Sequence, residues 1–582
     1  MTIGLPYFML STTAPLIQSW FAREHADPHT AKRVYRFFAL SNLGALLGLL
    51  AYPFAIETWI TTRVQAIGWS GSYAVFALLC VASAWRARNL KQDVLESDFT
   101  PTKVSEIPPH AKDYALWFAL AALPTLMLLA ITNHITQNVA SIPFMWVLPL
   151  TLYLLTFVLC FEGRNGHGFY VRKLWLWPTL LIIILMAWGL TANYGFLAIN
   201  LAIPLYSIGL FLVCMFCHGE LAAKKPAAKF LTRFYLILSL GGAVGGMFVG
   251  LIAPNIFSAF WELPLGFAAL ALVAWVLTKP KLNNPSAGQI NVASPWLSLL
   301  SLIVVIYFAY DYNKLQKMDN TIAAARNFYG RLSVKQIGYG ISDSDSFRAE
   351  LHGTIQHGKQ FVYPANRHFT TSYYSEYSGV GMALAHINPG QPKIGGVGMG
   401  IGTIAAHSKK GGSVKFYEIN PNVIDYANEY FYYLKESPAP VEVVLGDGRL
   451  MLEREPPQQF DVLAIDAFSG DAIPVHLITR EAMALYLKHI QPNGAVAFHV
   501  TSRYLNLAPV VKQLADAVGY EAVLISDKSN DMRNSPSNWV VVTRNRDFLN
   551  APEVMNNRVN IEPISGMGIW TDDFSNLFQI LK

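Results

Sequence analysis

The chain has 582 residues, 53% of them hydrophobic and 14% charged, with a net charge of +6. That apolar fraction excludes an ordinary single soluble domain, and so small a positive charge, with no basic stripe between aromatics, excludes a nucleic-acid binder. The four cysteines, Cys80, Cys160, Cys214 and Cys217, all fall in apolar runs, which excludes a disulfide-framed secreted module.

The opening stretch MTIGLPYFMLSTTAPLIQSW lacks the basic start of a signal peptide and reads as the latter part of a membrane helix. Either the protein starts abruptly or a helix precedes it. Uncharged apolar runs centred on residues 2–18, 36–56, 66–85, 114–132, 139–161, 174–190, 196–217, 234–252, 263–278 and 295–310 predict about ten helices able to cross roughly 30 Å of hydrocarbon. The loops alternate in charge. One set carries Arg23, Lys32, Arg33 and Arg36, then Arg86, Arg88, Lys91, Lys103 and Lys112, then Arg164, Arg172 and Lys173, then Lys224, Lys225, Lys229 and Arg233, then Lys279 and Lys281. The intervening set has almost no lysine or arginine. The positive-inside rule makes the basic set cytoplasmic, so everything after Asp311 is expected outside the cytoplasm of a multi-pass protein in a bacterial inner membrane.

Within the apolar half, SLGGAVGGMFVG spaces Gly241 with Gly245 and Gly242 with Gly246 for close helix packing. His218 and Glu220 lie at the basic end of a span and read as reaching the interface or as a polar path. CMFCH, residues 214–218, fits a haem-attachment spacing, but it sits in an apolar helix where cysteine acts as a small hydrophobe. No metal-ligand spacing appears, and no permanently bound cofactor is expected.

Near residue 315 the texture changes. The expected organisation is a transmembrane domain over residues 1–314, a linker and small β subdomain over 315–390, and a doubly wound α/β domain over 391–582. RLSVKQIGYG and FRAELHGTIQHGKQFVYP predict antiparallel strands. Then strand-like PKIGGV, a helix from Thr403, and the strands VKFYEI, VEVVLG, FDVLAIDAF, AVAFHV, EAVLIS and NWVVVT alternate with helical segments, predicting a mainly parallel sheet.

Ligands of such sheets bind beyond the carboxyl ends of the strands, and four strand ends carry suitable groups. The first is followed by GGVGMGIGTIAAH, with Gly398, Gly400 and Gly402 permitting close backbone approach to a nucleoside. The second ends in Glu418, about twenty residues on, where an acid accepts hydrogen bonds from ribose hydroxyls. The third is followed by Asp447, suited to an adenine amino group, and the fourth by Asp466, at the mouth of the cleft.

YEINPNVI, LGDGR and DAFSGDAIPVHLITREA resemble spermidine synthases, and the whole chain resembles bacterial proteins that fuse a multi-helix membrane region to a spermidine-synthase-like domain. The resemblance implies a class I methyltransferase-like fold preceded by a small β unit. It also implies decarboxylated S-adenosylmethionine, or S-adenosylmethionine, as co-substrate and a polyamine as acceptor. On matching positions it makes Gly398, Gly400, Gly402, Glu418, Asp447 and Gln356 donor-binding, Asp466 and Tyr374 catalytic, and Glu376 and Asp471 acceptor-binding. Two positions depart from the pattern: Ile401 stands where the synthases have the aspartate that grips the donor's amine, and His352 replaces the aspartate of their L-D-G. Besides an aminopropyltransferase, the residues admit two other readings. One is a transporter with a polyamine- or nucleoside-sensing domain, the other a non-catalytic subunit of a membrane complex or homo-oligomer.

Overall fold

The computed structural model describes residues 13, 16–17, 34–88, 108–138, 143–162, 168–192, 197–226, 230–279, 293–318, 320–353, 355–468 and 473–582. All but three residues of the first predicted span lie outside these, as do Arg23, Lys32, Arg33, Lys91, Lys103, Arg164, Lys229, Lys281 and Asp471. The chain divides into two compact units. One comprises Met1–Ile56, Arg63–Ile135 and Pro143–Leu315, and the other Gln316–Lys582 with the short segments Glu57–Thr62 and Thr136–Ile142.

The first unit is helical. Its principal helices are α1 (Val34–Ala51), α2 (Thr62–Arg88), α3 (Ala111–Asn138), α4 (Pro143–Phe161), α5 (Arg172–Gly189), α6 (Ile199–Ala223), α7 (Leu231–Met247), α8 (Glu262–Thr278) and α9 (Ala293–Met318). Among the described residues seven helical runs are long and apolar enough to cross a membrane; α8 and the apolar part of α4 are shorter. The glycines of α7 serve packing. A Cβ on Gly241 would lie 2.6 Å from the Phe118 carbonyl oxygen, and one on Gly245 would lie 2.3 Å from that of Ala122, so α7 and α3 touch backbone to backbone. His218 and Glu220 do not reach an interface, since both are fully buried. His218 Nδ1 lies 2.9 Å from the Thr156 hydroxyl, and Glu220 accepts from Tyr170 and pairs with Arg172. Cys214 and Cys217 are buried, free thiols inside α6.

The second unit contains two sheets. Strands β1 (Thr321–Asn327), β2 (Gly330–Ile337), β3 (Phe347–His352) and β4 (Ile355–Phe361) form an antiparallel meander that begins ten residues before the predicted β segment. The larger sheet has the order β12-β10-β11-β9-β8-β5-β6-β7. It is built from β5 (Lys393–Val397), β6 (Ser413–Glu418), β7 (Val441–Leu445), β8 (Phe460–Ile465), β9 (Ile490–His499), β10 (Glu521–Asp527), β11 (Ser537–Thr543) and β12 (Arg558–Val559). The strands from β9 to β7 pair in parallel, as predicted; β10, β11 and β12 do not. The chain between β10 and β11 is too short for a crossover, so these two must pair antiparallel.

All six residues of β8 are buried, as a strand covered on both faces requires. Its side chains alternate between two cores: Val462 and Ala464 pack on one side, Leu463 and Ile465 on the other. The covering helices include α10 (Gly379–His386), α11 (Pro421–Tyr430), α12 (Gly448–Arg454), α13 (Arg480–His489) and α14 (Ala508–Ala517). Several start on a side-chain cap: Asn420 accepts from the Asn422 amide, Asp447 from Leu450 and Thr479 from Ala482. The helix predicted from Thr403 is a single 3₁₀ turn, Thr403–His407.

Candidate active site

The order of the parallel strands reverses between β5 and β8, and a crevice at such a switch point is where an α/β sheet binds ligands. Hydrogen bonds continue the parallel pairing one residue past the strands. The Asp466 amide donates to the Val397 carbonyl at 2.8 Å, Gly398 to Tyr417 at 2.9 Å and Gly446 to Glu418 at 2.9 Å. This register brings the residue after β5, the end of β6 and the residues after β7 and β8 to one rim.

They border a cleft of about 380 Å³ whose lining includes Gly398, Gly400, Glu418, Asp447 and Asp466. A cavity of that size suits a small molecule. Gly398, Gly400 and Gly402 have φ of +87°, +52° and +83°, a left-handed region that favours glycine. At Gly398 the requirement is absolute, because a Cβ would lie 2.4 Å from the Asp466 carbonyl oxygen. Gly402 caps the 3₁₀ turn instead of lining the cleft. Behind the glycine loop itself stands only that turn, so the loop offers its own backbone amides without the N-terminus of a long helix following it.

Glu418 is 7% exposed and already holds two backbone donors, Met399 N–H on Oε2 at 3.0 Å and Asn420 N–H on Oε1 at 2.9 Å. Burial raises its pKa, and these amides partly offset that. Asp447 uses Oδ1 to cap α12 at 2.9 Å and meets His476 Nε2 through Oδ2 at 3.0 Å. Asp466 receives the Tyr374 hydroxyl on Oδ2 and faces His499 Nδ1 through Oδ1 at 2.7 Å. Tyr374 is itself buried and outside the lining, so it acts on the cleft through Asp466. Burial and the Asp466 charge keep its phenol protonated, with a pKa well above the ordinary value.

Not every predicted residue joins them. Gln356 lies on β4 but is not in the lining, and Glu376 is exposed on the surface, 3.2 Å from Arg533 Nη2. Asp471 is outside the described residues. Ile401 is 1% exposed and packs over β4, where a Cβ on Gly358 would come 2.7 Å from its Cγ1.

The antiparallel meander supplies groups that strand-end reasoning missed. Glu350 is 1% exposed, lines the cleft, and has no hydrogen-bond partner on Oε2. Burial, with the Glu418 charge second, pushes its carboxyl up to about 8. His357 also lines the cleft; its Nε2 has no partner, and burial lowers its pKa to about 4. The bulge between β3 and β4 explains its aim. Glu350 pairs with Gly358 and Leu351 with Gln356, leaving His357 as the extra residue. His499 had a readable signal: it ends the fifth parallel strand, where the same rule applies.

Four carboxyl groups thus face one cleft, and no lysine or arginine lines it among the described residues. Such a site favours a cation.

No family model matches the chain. A probable polyamine aminopropyl transferase of Bifidobacterium longum is 26% identical over 202 residues, 34% of this chain and 42% of that protein. A polyamine aminopropyltransferase of Vibrio vulnificus is 32% identical over 134 residues, 22% and 44% of the respective chains. The chain therefore matches less than half the length of either relative. Among solved structures, a probable spermidine synthase from Corynebacterium glutamicum aligns at a TM-score of 0.33 and 16% identity, over 45% of this chain and 92% of that one. Spermidine synthase from Thermotoga maritima aligns at 0.29 and 14%, over 42% and 80%. Part of this chain is thus similar in sequence to polyamine aminopropyltransferases. The first unit carries seven apolar helices of membrane-crossing length among the described residues.

Proposed function

We propose that this protein is a membrane-anchored aminopropyltransferase whose cleft binds an adenosyl sulfonium donor, decarboxylated S-adenosylmethionine or S-adenosylmethionine, together with a polyamine. The observation that carries this reading is the cleft's acidic lining: the carboxyl groups of Glu350, Glu418, Asp447 and Asp466 beneath a glycine loop, with no lysine or arginine among the described lining residues. Glu418 is placed to accept from ribose hydroxyls and Asp447 from an adenine amino group. The acceptor amine attacks the methylene carbon beside the sulfonium. A carbon–nitrogen bond forms, the carbon–sulfur bond breaks, and its electron pair stays on sulfur as a neutral thioether. The nitrogen's surplus proton passes to Asp466, whose carboxylate is held in place from both sides.

The anchor is residues 1–314, embedded in a bacterial inner membrane, with the C-terminal domain on the extracytoplasmic side. Support comes from the loop charges and from helices such as α2, whose apolar window has none of its residues buried, a surface suited to hydrocarbon. A reporter fused after Lys582 tests the side: activity only in the cytoplasm would reverse the orientation. The reaction is tested with full-length protein, labelled donor and putrescine, with Asp466→Asn alongside. Labelled product from the wild type that is lost in the variant is expected. Product that survives Asp466→Asn would remove the proposed base.

A second reading, a sensing or assembly subunit that binds such a ligand without turning it over, is favoured by Ile401 and His352. Where the synthases hold two carboxylates, this chain has a buried apolar side chain and a histidine whose Nε2 meets the Tyr329 carbonyl at 2.8 Å. Calorimetric binding of the donor without product in the transfer assay would establish that reading instead.

A further inference from the structure

The Asp466 carboxylate is held by more than Tyr374. His499 closes β9 with its ring clamped between two aromatic faces: Tyr373 at 4.5 Å and 21°, and Trp539 at 4.7 Å and 20°. Phe468 meets the ring edge-on at 5.0 Å. The clamp is fixed in turn, since Trp539 Nε1–H donates to the Tyr373 carbonyl at 3.0 Å and the Tyr373 hydroxyl donates to the His357 carbonyl at 2.8 Å. With the ring immobile, only its Nδ1 edge meets a polar partner, Asp466 Oδ1 at 2.7 Å. Nε2 is buried and has no hydrogen-bond partner.

That asymmetry selects a tautomer. A proton on Nε2 would be a buried donor without an acceptor and would set the Nδ1 lone pair against a carboxylate. A proton on Nδ1 satisfies both and leaves only a bare acceptor in an apolar clamp. We infer that His499, as the Nδ1–H tautomer, is a positioning residue for Asp466: it fixes the carboxylate's rotamer, so that the free lone pairs face the reacting amine. This deepens the transferase reading and rests on it. The other titratable groups around the pair are Tyr373 and Tyr374 before α10, His357 on β4 and Glu418 on β6.

The test compares full-length His499→Leu, which deletes the donor, with His499→Asn, whose amide nitrogen sits near the position of Nδ1. For His499→Leu we expect kcat to fall on the order of 100-fold with the donor KM within about threefold. His499→Asn should recover about tenfold of that loss. A loss carried by the donor KM with kcat unchanged, or an asparagine variant no better than leucine, overturns the inference. A second readout needs no turnover: solid-state ¹⁵N spectra of the histidine-labelled full chain in membranes. One Nδ1–H resonance should vanish in His499→Asn and shift in Asp466→Asn. An Nε2–H signal for His499, or one blind to Asp466→Asn, overturns the positioning role even in an active enzyme. An inactive wild type that still shows the coupled Nδ1–H signal sinks the transferase reading and leaves the pair intact.

Discussion

Glu350 gives the sharpest test of how the cleft is charged. Its carboxyl is 1% exposed, Oε2 has no partner, and burial with the nearby Glu418 charge pushes its pKa from 4.5 to about 8. Below pH 4.5 the group is protonated in both folded and unfolded chains and costs nothing. Between 4.5 and about 8 the unfolded chain ionises while the folded one does not, so stability falls across that window and levels off above it. At about 1.4 kcal/mol per pH unit the full displacement corresponds to a ceiling of about 5 kcal/mol. Glu350→Gln removes the ionisation but buries an amide that lacks a full set of partners, a cost of about 1–2 kcal/mol. The variant should therefore be slightly less stable than wild type at pH 5 and about 2–3 kcal/mol more stable at pH 9. Urea-dependent pulse proteolysis of the full-length protein in detergent, reading cleavage within residues 320–582, measures both. A difference that stays constant from pH 5 to pH 9 would show that Glu350 ionises normally in the folded chain.

Four further substitutions have expected outcomes. Gly398→Ala should cost 3 kcal/mol or about that, since both φ and the Asp466 carbonyl oppose a Cβ. Gly400→Ala, whose Cβ would meet nothing closer than 3.4 Å, should cost only about 1 kcal/mol yet weaken donor binding at least about tenfold, because only the ligand is crowded; calorimetry separates the two. Ile401→Asp should lower stability by about 3–5 kcal/mol without tightening donor binding, since it places an unpaired charge in the core over Gly358; a gain in donor affinity would contradict this. Arg449→Met should cost about 1–2 kcal/mol at pH 7, screened because its partner Asp572 is 44% exposed. Hydrogen bonding from Arg449 holds the Asp572 carboxyl below its ordinary 3.8, so this contribution is present above that value and lost as pH falls through the lowered one. Denaturation midpoints at pH 7 and pH 3 should show the variant's deficit shrinking.

The parallel half of the large sheet was legible because each strand is an apolar run that stops at a polar residue. Val397, Glu418, Leu445 and Ile465 end their strands within two residues of the groups singled out, and parallel register aligns those ends without further information. His499 obeyed the same rule on the next strand. Glu350, His357 and Gln356 were illegible for a local reason: a bulge between β3 and β4 shifts the alternation, so His357 enters the cleft and its neighbour Gln356 does not. The Tyr374–Asp466 contact joins residues 92 apart, and only the resemblance to spermidine synthases had paired them. In the helical unit, apolar runs marked the helices, but the partners of His218 and Glu220, Thr156 on α4 and Tyr170 just before α5, come from elsewhere in the chain, beyond what one run can reveal.

The same charges bear on how ligands come and go. Glu350 and Glu418 repel one another, and Glu350 escapes by keeping its proton near neutral pH. A sulfonium or ammonium entering the cleft favours the ionised form, so cation binding should expel part of a proton and tighten as pH rises towards about 8. On the proposed reaction the thioether left after transfer has lost the sulfonium charge and offers no such exchange, so the cleft should hold donor more firmly than spent donor. Calorimetric titrations of the full-length protein at pH 7.5, in two buffers of different ionisation enthalpy, count the protons directly. S-adenosylmethionine should release a measurable fraction of a proton, and its neutral thioether analogue methylthioadenosine should release almost none. Equal release with both ligands would mean that the carboxyl pair does not sense the ligand's charge, and the electrostatic case for a sulfonium site would fall with it.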